Sequence, residues 1–174
     1  NLENLIDLQK KLCNSPSEIG LAFDGDGDRL GVVTKKGEVI YPDRQLLLFA
    51  EDVLKSNPGG SIIYDVKSTG FLFSWIEERG GIPIIWKTGH SFIKAKIKET
   101  NAILAGEMSG HIFFNDRWYG FDDGIYAGAR LIEILSRFDN PSEILEGLPK
   151  GVSTPELNIK LNEGDQHKII KSLQ

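Results

Sequence analysis

The spacing of apolar residues changes several times along this chain, and each change marks an element. Leu2, Leu5, Ile6 and Leu12 recur at helical intervals, so 2–12 reads as an amphipathic helix, ended by Asn14-Ser15-Pro16. Two short apolar runs, 19–23 and 30–34, read as buried strands, and Glu38 to Tyr41 as a shorter one after the Lys35-Lys36-Gly37 turn. Pro42 and Asp43 open a helix through Leu46, Leu47, Phe49, Ala50, Val53 and Leu54, and Asn57-Pro58-Gly59-Gly60 breaks it. A regular alternation follows: strand 61–66, helix 69–79 with Gly80 as its closing glycine, strand 82–86, helix 91–99 and strand 102–105. Residues 111–114 and Trp118-Tyr119 suggest a hairpin around Asn115-Asp116-Arg117. Asp122-Asp123 leads the longest helix, whose expected core stripe is Ile125, Ala129, Ile132 and Leu135. A short helix at 141–148, a linker at 149–151, a strand at 156–161 and a helix from about Glu163 complete the chain. Strands spaced by helices predict an α/β fold, layered, with a mixed but largely parallel sheet and partial flanking domains.

At 174 residues the chain can bury a sizeable core. Its 40% hydrophobic and 26% charged residues fit an ordinary globular protein. A net charge of −5 gives no broad basic surface for nucleic acid. The single cysteine, Cys13, rules out an internal disulfide and suits a reducing, cytoplasmic setting, and no apolar run reaches membrane-spanning length. The chain opens at Asn1 and stops at Gln174 within apparent helices, which leads to the expectation of a segment of a longer protein.

The strongest chemical signal lies between the first two strands, in Asp24-Gly25-Asp26-Gly27-Asp28-Arg29. Three carboxylates at alternate positions repel one another unless a cation joins them, and the glycines let the backbone turn so that their oxygens converge. Such an all-oxygen set suits a hard divalent ion, magnesium, manganese or calcium. An EF-hand is excluded because its required glycine and glutamate positions hold Arg29 and Lys35. A phosphatase with an aspartate nucleophile also places aspartates after a strand, but no single aspartate stands out as the attacking group; a plain polar turn is the structural alternative.

Three other stretches sit at strand ends, where α/β sheets bind ligands. Gly106-Glu107-Met108-Ser109-Gly110-His111 combines acceptors, a hydroxyl and glycines, a set that grips sugar hydroxyls or simply makes a polar turn. Lys87-Thr88-Gly89-His90-Ser91 offers helix-start N–H groups and two basic side chains to an anion, or a helix capped by Ser91. Asp65-Val66-Lys67 carries little information alone. Lys94, Lys96 and Lys98 read as a solvated face, and Trp75, Trp86 and Trp118 as core or rim aromatics.

Phe23 to Arg29, then Lys87 to His90, then Gly106 to His111, in this order and spacing, resemble the α-D-phosphohexomutases, in particular the bacterial phosphomannomutase/phosphoglucomutase branch. The resemblance spans essentially the whole chain. It implies the end of a second domain at 1–35 with the metal loop, a third domain at 36–150 with the sugar loop, and the start of a fourth at 151–174. It implies an intramolecular phosphotransferase of the isomerase class. The reaction would exchange a phosphoryl group between the 1- and 6-positions of mannose or glucose phosphates, through a phosphoserine and a bisphosphorylated sugar. Asp24, Asp26 and Asp28 would hold Mg²⁺, and Arg29 would add charge beside it. Glu107 and Ser109 would grip the 3- and 4-hydroxyls. Lys67, Lys87, His90 and His111 would contact sugar or phosphate, with His111 or Lys67 assisting proton transfer. The remaining domains would be partners. No serine loop of the Thr-Ala-Ser-His-Asn-Pro type occurs here, so the chain alone is expected to be inactive; the competing expectations are a non-catalytic sugar-phosphate or metal-binding module and a hexosamine-phosphate mutase of the same family.

Overall fold

A computed structural model of the chain describes residues 2–152, 160–161 and 164–173. A 3₁₀ turn at Leu2–Leu5 runs into α1 (Ile6–Cys13). Strands β1 (Ile19–Phe23), β2 (Leu30–Thr34) and β3 (Val39–Ile40) form an antiparallel sheet in that order. Then come α2 (Pro42–Ser56), β4 (Ser61–Asp65), α3 (Phe71–Glu78), β5 (Ile82–Trp86), α4 (His90–Thr100), β6 (Leu104–Gly106) and β7 (Ile112–Phe114). The chain continues through α5 (Gly124–Leu135), α6 (Pro141–Glu146) and α7 (Asp165–Leu173). A second sheet has the order β5-β4-β6-β7, with β4 parallel to β5 and β6, and β7 antiparallel to β6. This is the expected mixed, mostly parallel sheet with helices. Among the described residues no helix is long and apolar enough to cross a membrane.

The sequence explains the placement. β4 reads Ser-Ile-Ile-Tyr-Asp and buries its last four residues, as a central parallel strand covered on both faces must. Ile62 faces the larger core with Leu46, Leu72 and Leu104, while Ile63 faces a smaller one with Ile93, Ile97 and Phe113. Leu30 and Val32 of β2 lie in the same core as α2 and α5, so the two sheets share one packed interior. Pro42 sits in the first turn of α2, where its missing N–H costs nothing. Asn101 ends α4 in the left-handed region, at φ 51°.

Three expectations are corrected. Trp118-Tyr119 is not a strand: β7 pairs instead with β6 across the 107–111 turn, and its other contact is a single bridge from Phe113 to Asp122. The buried face of α5 is Ala127, Leu131, Ile134 and Leu135, whereas Ile125 and Ile132 are 63% and 53% exposed. Both faces of that helix carry apolar residues at helical spacing, and periodicity alone cannot choose between them. Lys94 is no solvated lysine, since it pairs with Asp122 at 3.0 Å. The strand expected at 156–161 lies outside the described residues, save 160–161, which belong to no strand. The three tryptophans are half-buried, as read; Trp75 donates to the Leu47 carbonyl and Trp118 stacks on Tyr126.

The core side of α5 also holds a cation. Arg130 is 3% exposed, donates to Asp116 at 2.9 Å and Asp52 at 3.4 Å, and lies over the Phe114 ring. Removing one partner of a buried pair strands the other without water. Arg130→Met is therefore expected to cost about 3–5 kcal/mol in urea unfolding; a loss below about 1 kcal/mol would place this network with weak surface pairs.

Candidate functional site

The aspartate loop spans the gap between β1 and β2. Gly27 takes φ 76° and donates its N–H to the Asp24 carbonyl at 3.2 Å, which closes the turn. Arg29 doubles back: its backbone N–H donates to Asp24 Oδ1 at 3.2 Å and its Nε to Asp24 Oδ2. Asp24, Asp26 and Asp28 bring one oxygen each within 4.8 Å of one another. Burial raises the Asp24 carboxyl, but the hydrogen bonds and charge of Arg29 together outweigh it and hold that carboxyl below its usual range. Asp28 moves the other way. Burial pushes it up, the charges of Asp24, Asp26 and Asp122 add to that, and His111 opposes them. A carboxylate under that crowding is the place where a cation gives most relief, and three hard oxygens suit a divalent ion. The residues present therefore fit a metal of that class.

The sugar-loop candidate is the tight turn joining β6 to β7. Glu107 N–H donates to the His111 carbonyl at 3.0 Å, Gly110 N–H returns to the Glu107 carbonyl at 3.0 Å, and Gly110 takes φ 109°. Glu107 is 2% exposed. Its Oε1 accepts from the Gly89 N–H at the start of α4, while Oε2 is buried with no hydrogen-bond partner. Burial raises the Glu107 carboxyl, and the Gly89 bond only partly opposes this. Ser109 stands exposed at the tip.

These two loops are joined through the main chain. Leu30 N–H donates to the Gly110 carbonyl at 3.3 Å, and Arg29 pairs with His111 in an antiparallel bridge. α5 presses on the junction from its N-terminus, where the Gly124 N–H donates to the Gly27 carbonyl at 2.9 Å. A Cβ on Gly124 would lie 2.6 Å from the Arg29 carbonyl oxygen, so only glycine fits there.

A polar chain links the loops through side chains as well. His111 Nδ1 lies 3.1 Å from Asp122 Oδ2 and 3.6 Å from Asp28 Oδ2. His90 stacks on His111 at 5.6 Å and reaches the same Asp122 oxygen at 3.2 Å, and Lys94 holds Asp122 Oδ1 at 3.0 Å. Burial raises the Asp122 carboxyl, but the Lys94 hydrogen bond and the other nearby donors carry it below its usual range.

The structure thus brings together Asp24, Asp26, Asp28, Arg29, His90 and His111, and ties Glu107 to the start of α4. Lys67 lies elsewhere, on a neighbouring cleft of about 830 Å³ with Asp43, Met108 and Lys150. Lys87 lies with its Nζ 3.9 Å from the Phe92 ring. Ser91 does not cap α4, which starts at His90 behind Gly89 without a side-chain cap.

Sequence reasoning passed over Asp122, taken with Asp123 as acids favouring a helix start. The doublet held a usable signal. One acid suffices as N-cap, and Asp123 fills that role through Tyr126 N–H at 2.8 Å, which leaves Asp122 for other work. Asp65, read as uninformative, accepts hydrogen bonds from three separate loops.

Comparison with known proteins gives a consistent result. Residues 41–151 match the model of "Phosphoglucomutase/phosphomannomutase, alpha/beta/alpha domain III". A phosphoglucomutase of Neisseria gonorrhoeae is 65% identical over 172 residues, 98% of this chain and 37% of the relative. A phosphomannomutase/phosphoglucomutase of Pseudomonas syringae pv. tomato is 58% identical over 174 residues, 99% of this chain and 37% of the relative. The crystal structure of a phosphoglucomutase/phosphomannomutase family protein from Burkholderia thailandensis superposes with a TM-score of 0.88 at 66% identity, covering 89% of this chain and 34% of that one. The chain thus spans about 37% of the length of the curated relatives it matches. With the sheet order, the paired loops and a family model that covers most of its length, the chain belongs to the phosphoglucomutase/phosphomannomutase family.

Proposed function

We propose that the protein carrying this chain is a hexose-phosphate mutase that interconverts hexose 1-phosphate and hexose 6-phosphate, with mannose and glucose phosphates as substrates. Residues 1–35 are read as the end of its second domain, 36–150 as the third and 151–174 as the start of the fourth; the matched span 41–151 supports the middle assignment. The observation that carries the reading is the main-chain junction of the two loops: the carboxylate trio and the sugar turn are held side by side by the Arg29–His111 bridge. An exposed thiol at Cys13 goes with a cytoplasmic location.

Asp24, Asp26 and Asp28 would hold the ion, Mg²⁺ on this reading. Bound there, it supplies a Lewis acid that offsets negative charge on a transferring phosphoryl group. Arg29, fixed to Asp24, adds a permanent positive charge at the same place. Glu107 Oε2, buried and unpartnered, accepts from a sugar hydroxyl, and Ser109 supplies a second contact. Mid-ring hydroxyls would let the same two residues hold the sugar in both of its orientations. His111 directs Nδ1 to Asp122, which leaves Nε2 to take a proton from an attacking hydroxyl. Lys67 and Lys87 offer positive charge to a sugar phosphate, and His90 offers a ring nitrogen.

The full-length protein with Mg²⁺ is expected to convert mannose 1-phosphate or glucose 1-phosphate to the 6-phosphate, followed by phosphorus NMR; no conversion of either overturns the reading. Asp26→Asn should lower kcat on the order of 100-fold while leaving sugar-phosphate affinity, measured calorimetrically, near wild type. Unchanged turnover with lost sugar affinity would remove the metal role. Gly124→Ala favours the helix by propensity but collides with the Arg29 backbone. It is expected to weaken Mg²⁺ or Mn²⁺ binding by about tenfold or more in a metal titration, and an unchanged metal affinity would show that the junction does not shape the loop.

A further inference from the structure

The geometry points to Asp65 as a positioning residue that sets the sugar-binding loops relative to one another. It is the last residue of β4, the central parallel strand, and sits between the ends of β5 and β6. It is 0% exposed. Oδ1 accepts from Ser68 Oγ at 2.7 Å and from Met108 N–H at 3.3 Å, and Oδ2 accepts from Thr88 Oγ1 at 3.0 Å. Each donor comes from a different loop: the one after β4, which carries Lys67; the one after β5, with Lys87 and His90; and the one after β6, with Glu107, Ser109 and His111.

A buried carboxylate costs several kcal/mol of lost hydration, about as much as a strong interaction returns. Nothing about ending a strand requires that cost, since an amide or apolar residue ends a strand without it. What the side chain provides is acceptor capacity on two oxygens, filled by three donors, one from each loop. The two donors on Oδ1 tie the loops after β4 and β6 to each other, and Oδ2 ties both to the loop after β5. The bond from Gly89 N–H to Glu107 Oε1 closes the same ring from the outer side. Loss of Asp65 therefore releases the three loops from one another without removing any side chain proposed to contact substrate. The inference rests on the sugar-binding reading above only for what the loops hold; the coupling of the loops is a property of the chain itself.

The test uses the full-length protein with Asp65→Ala, Asp65→Asn and Thr88→Val. Asparagine keeps the two-donor oxygen and can donate its amide to the Thr88 hydroxyl; valine keeps the shape of threonine and removes one spoke. Asp65→Ala is expected to raise KM for hexose 1-phosphate about 10- to 100-fold, more than it lowers kcat, with Thr88→Val intermediate and Asp65→Asn recovering most of the loss. Amide exchange should quicken together in peptides covering 66–70, 87–90 and 107–111. If Asp65→Ala does not fold, Thr88→Val and Asp65→Asn give the same decision. Unchanged exchange in the 87–90 and 107–111 peptides, or an Asp65→Asn as damaging as alanine, overturns the inference. If the wild-type protein neither binds nor converts hexose phosphates, the functional reading fails, and the exchange data alone decide the role of Asp65.

Discussion

Two loops with different chemistry are locked together by main-chain hydrogen bonds, and the rest of the site is arranged around that junction. The aspartate loop ends where Leu30 enters β2, and the Leu30 N–H is given to Gly110 of the turn between β6 and β7. The Arg29–His111 bridge and the Gly124–Gly27 bond flank it. Side-chain contacts would let the loops drift through rotamer changes; backbone bonds in a packed interior do not. Gly124 is part of the same constraint, because any Cβ would push the helix away from Arg29. The start of α5, the carboxylate loop and the 107–111 turn are therefore fixed relative to one another.

Much of this was legible in the sequence, because the decisive signals are local. The apolar runs at 19–23 and 30–34 became β1 and β2, and the run at 82–86 became β5. The alternate aspartates do converge, because the turn that glycine permits is set within six residues. What was not legible depends on pairing between distant segments. Phe113 and Phe114 looked ready to pair forward with Trp118, but the partner strand was already present in β6 behind a five-residue turn. On α5, Ile125 and Ile132 keep helical spacing as faithfully as Leu131 and Leu135 do. The core took the face whose Arg130 could reach Asp116 and Asp52, a choice fixed by residues 14 and 78 positions away. Asp122 and Asp65 were missed for the same reason: their meaning lies in donors from other loops.

Charge in the site is divided unevenly, and the division is informative. Asp24 is stabilised as an anion by Arg29, and Asp122 by Lys94. Asp28, between them, is pushed toward its neutral form by burial and by its acidic neighbours. The two outer carboxylates are therefore anchored by permanent cations, and the central one is left in need of charge. On the metal-binding reading proposed for the trio, a divalent ion would gain most at that position, without having to reorganise the residues that fix the loop.

Two buried acids at the same sheet edge show how structure separates positioning from binding. Asp65 and Glu107 both end or follow parallel strands, and both accept hydrogen bonds from the turn that begins α4. Asp65 has donors on both oxygens, so it has little acceptor capacity left for a ligand. Glu107 has one oxygen filled and one empty, and an empty buried oxygen carries a desolvation penalty in the free protein. That penalty is removed when a hydroxyl donates to it, so the free energy stored in the unfilled oxygen returns on binding. A molecule that lacks the hydroxyl would leave that oxygen unsatisfied and gain none of this free energy. On the reading proposed for this site, the filled acid fixes where the loops stand and the unfilled one would select what they hold.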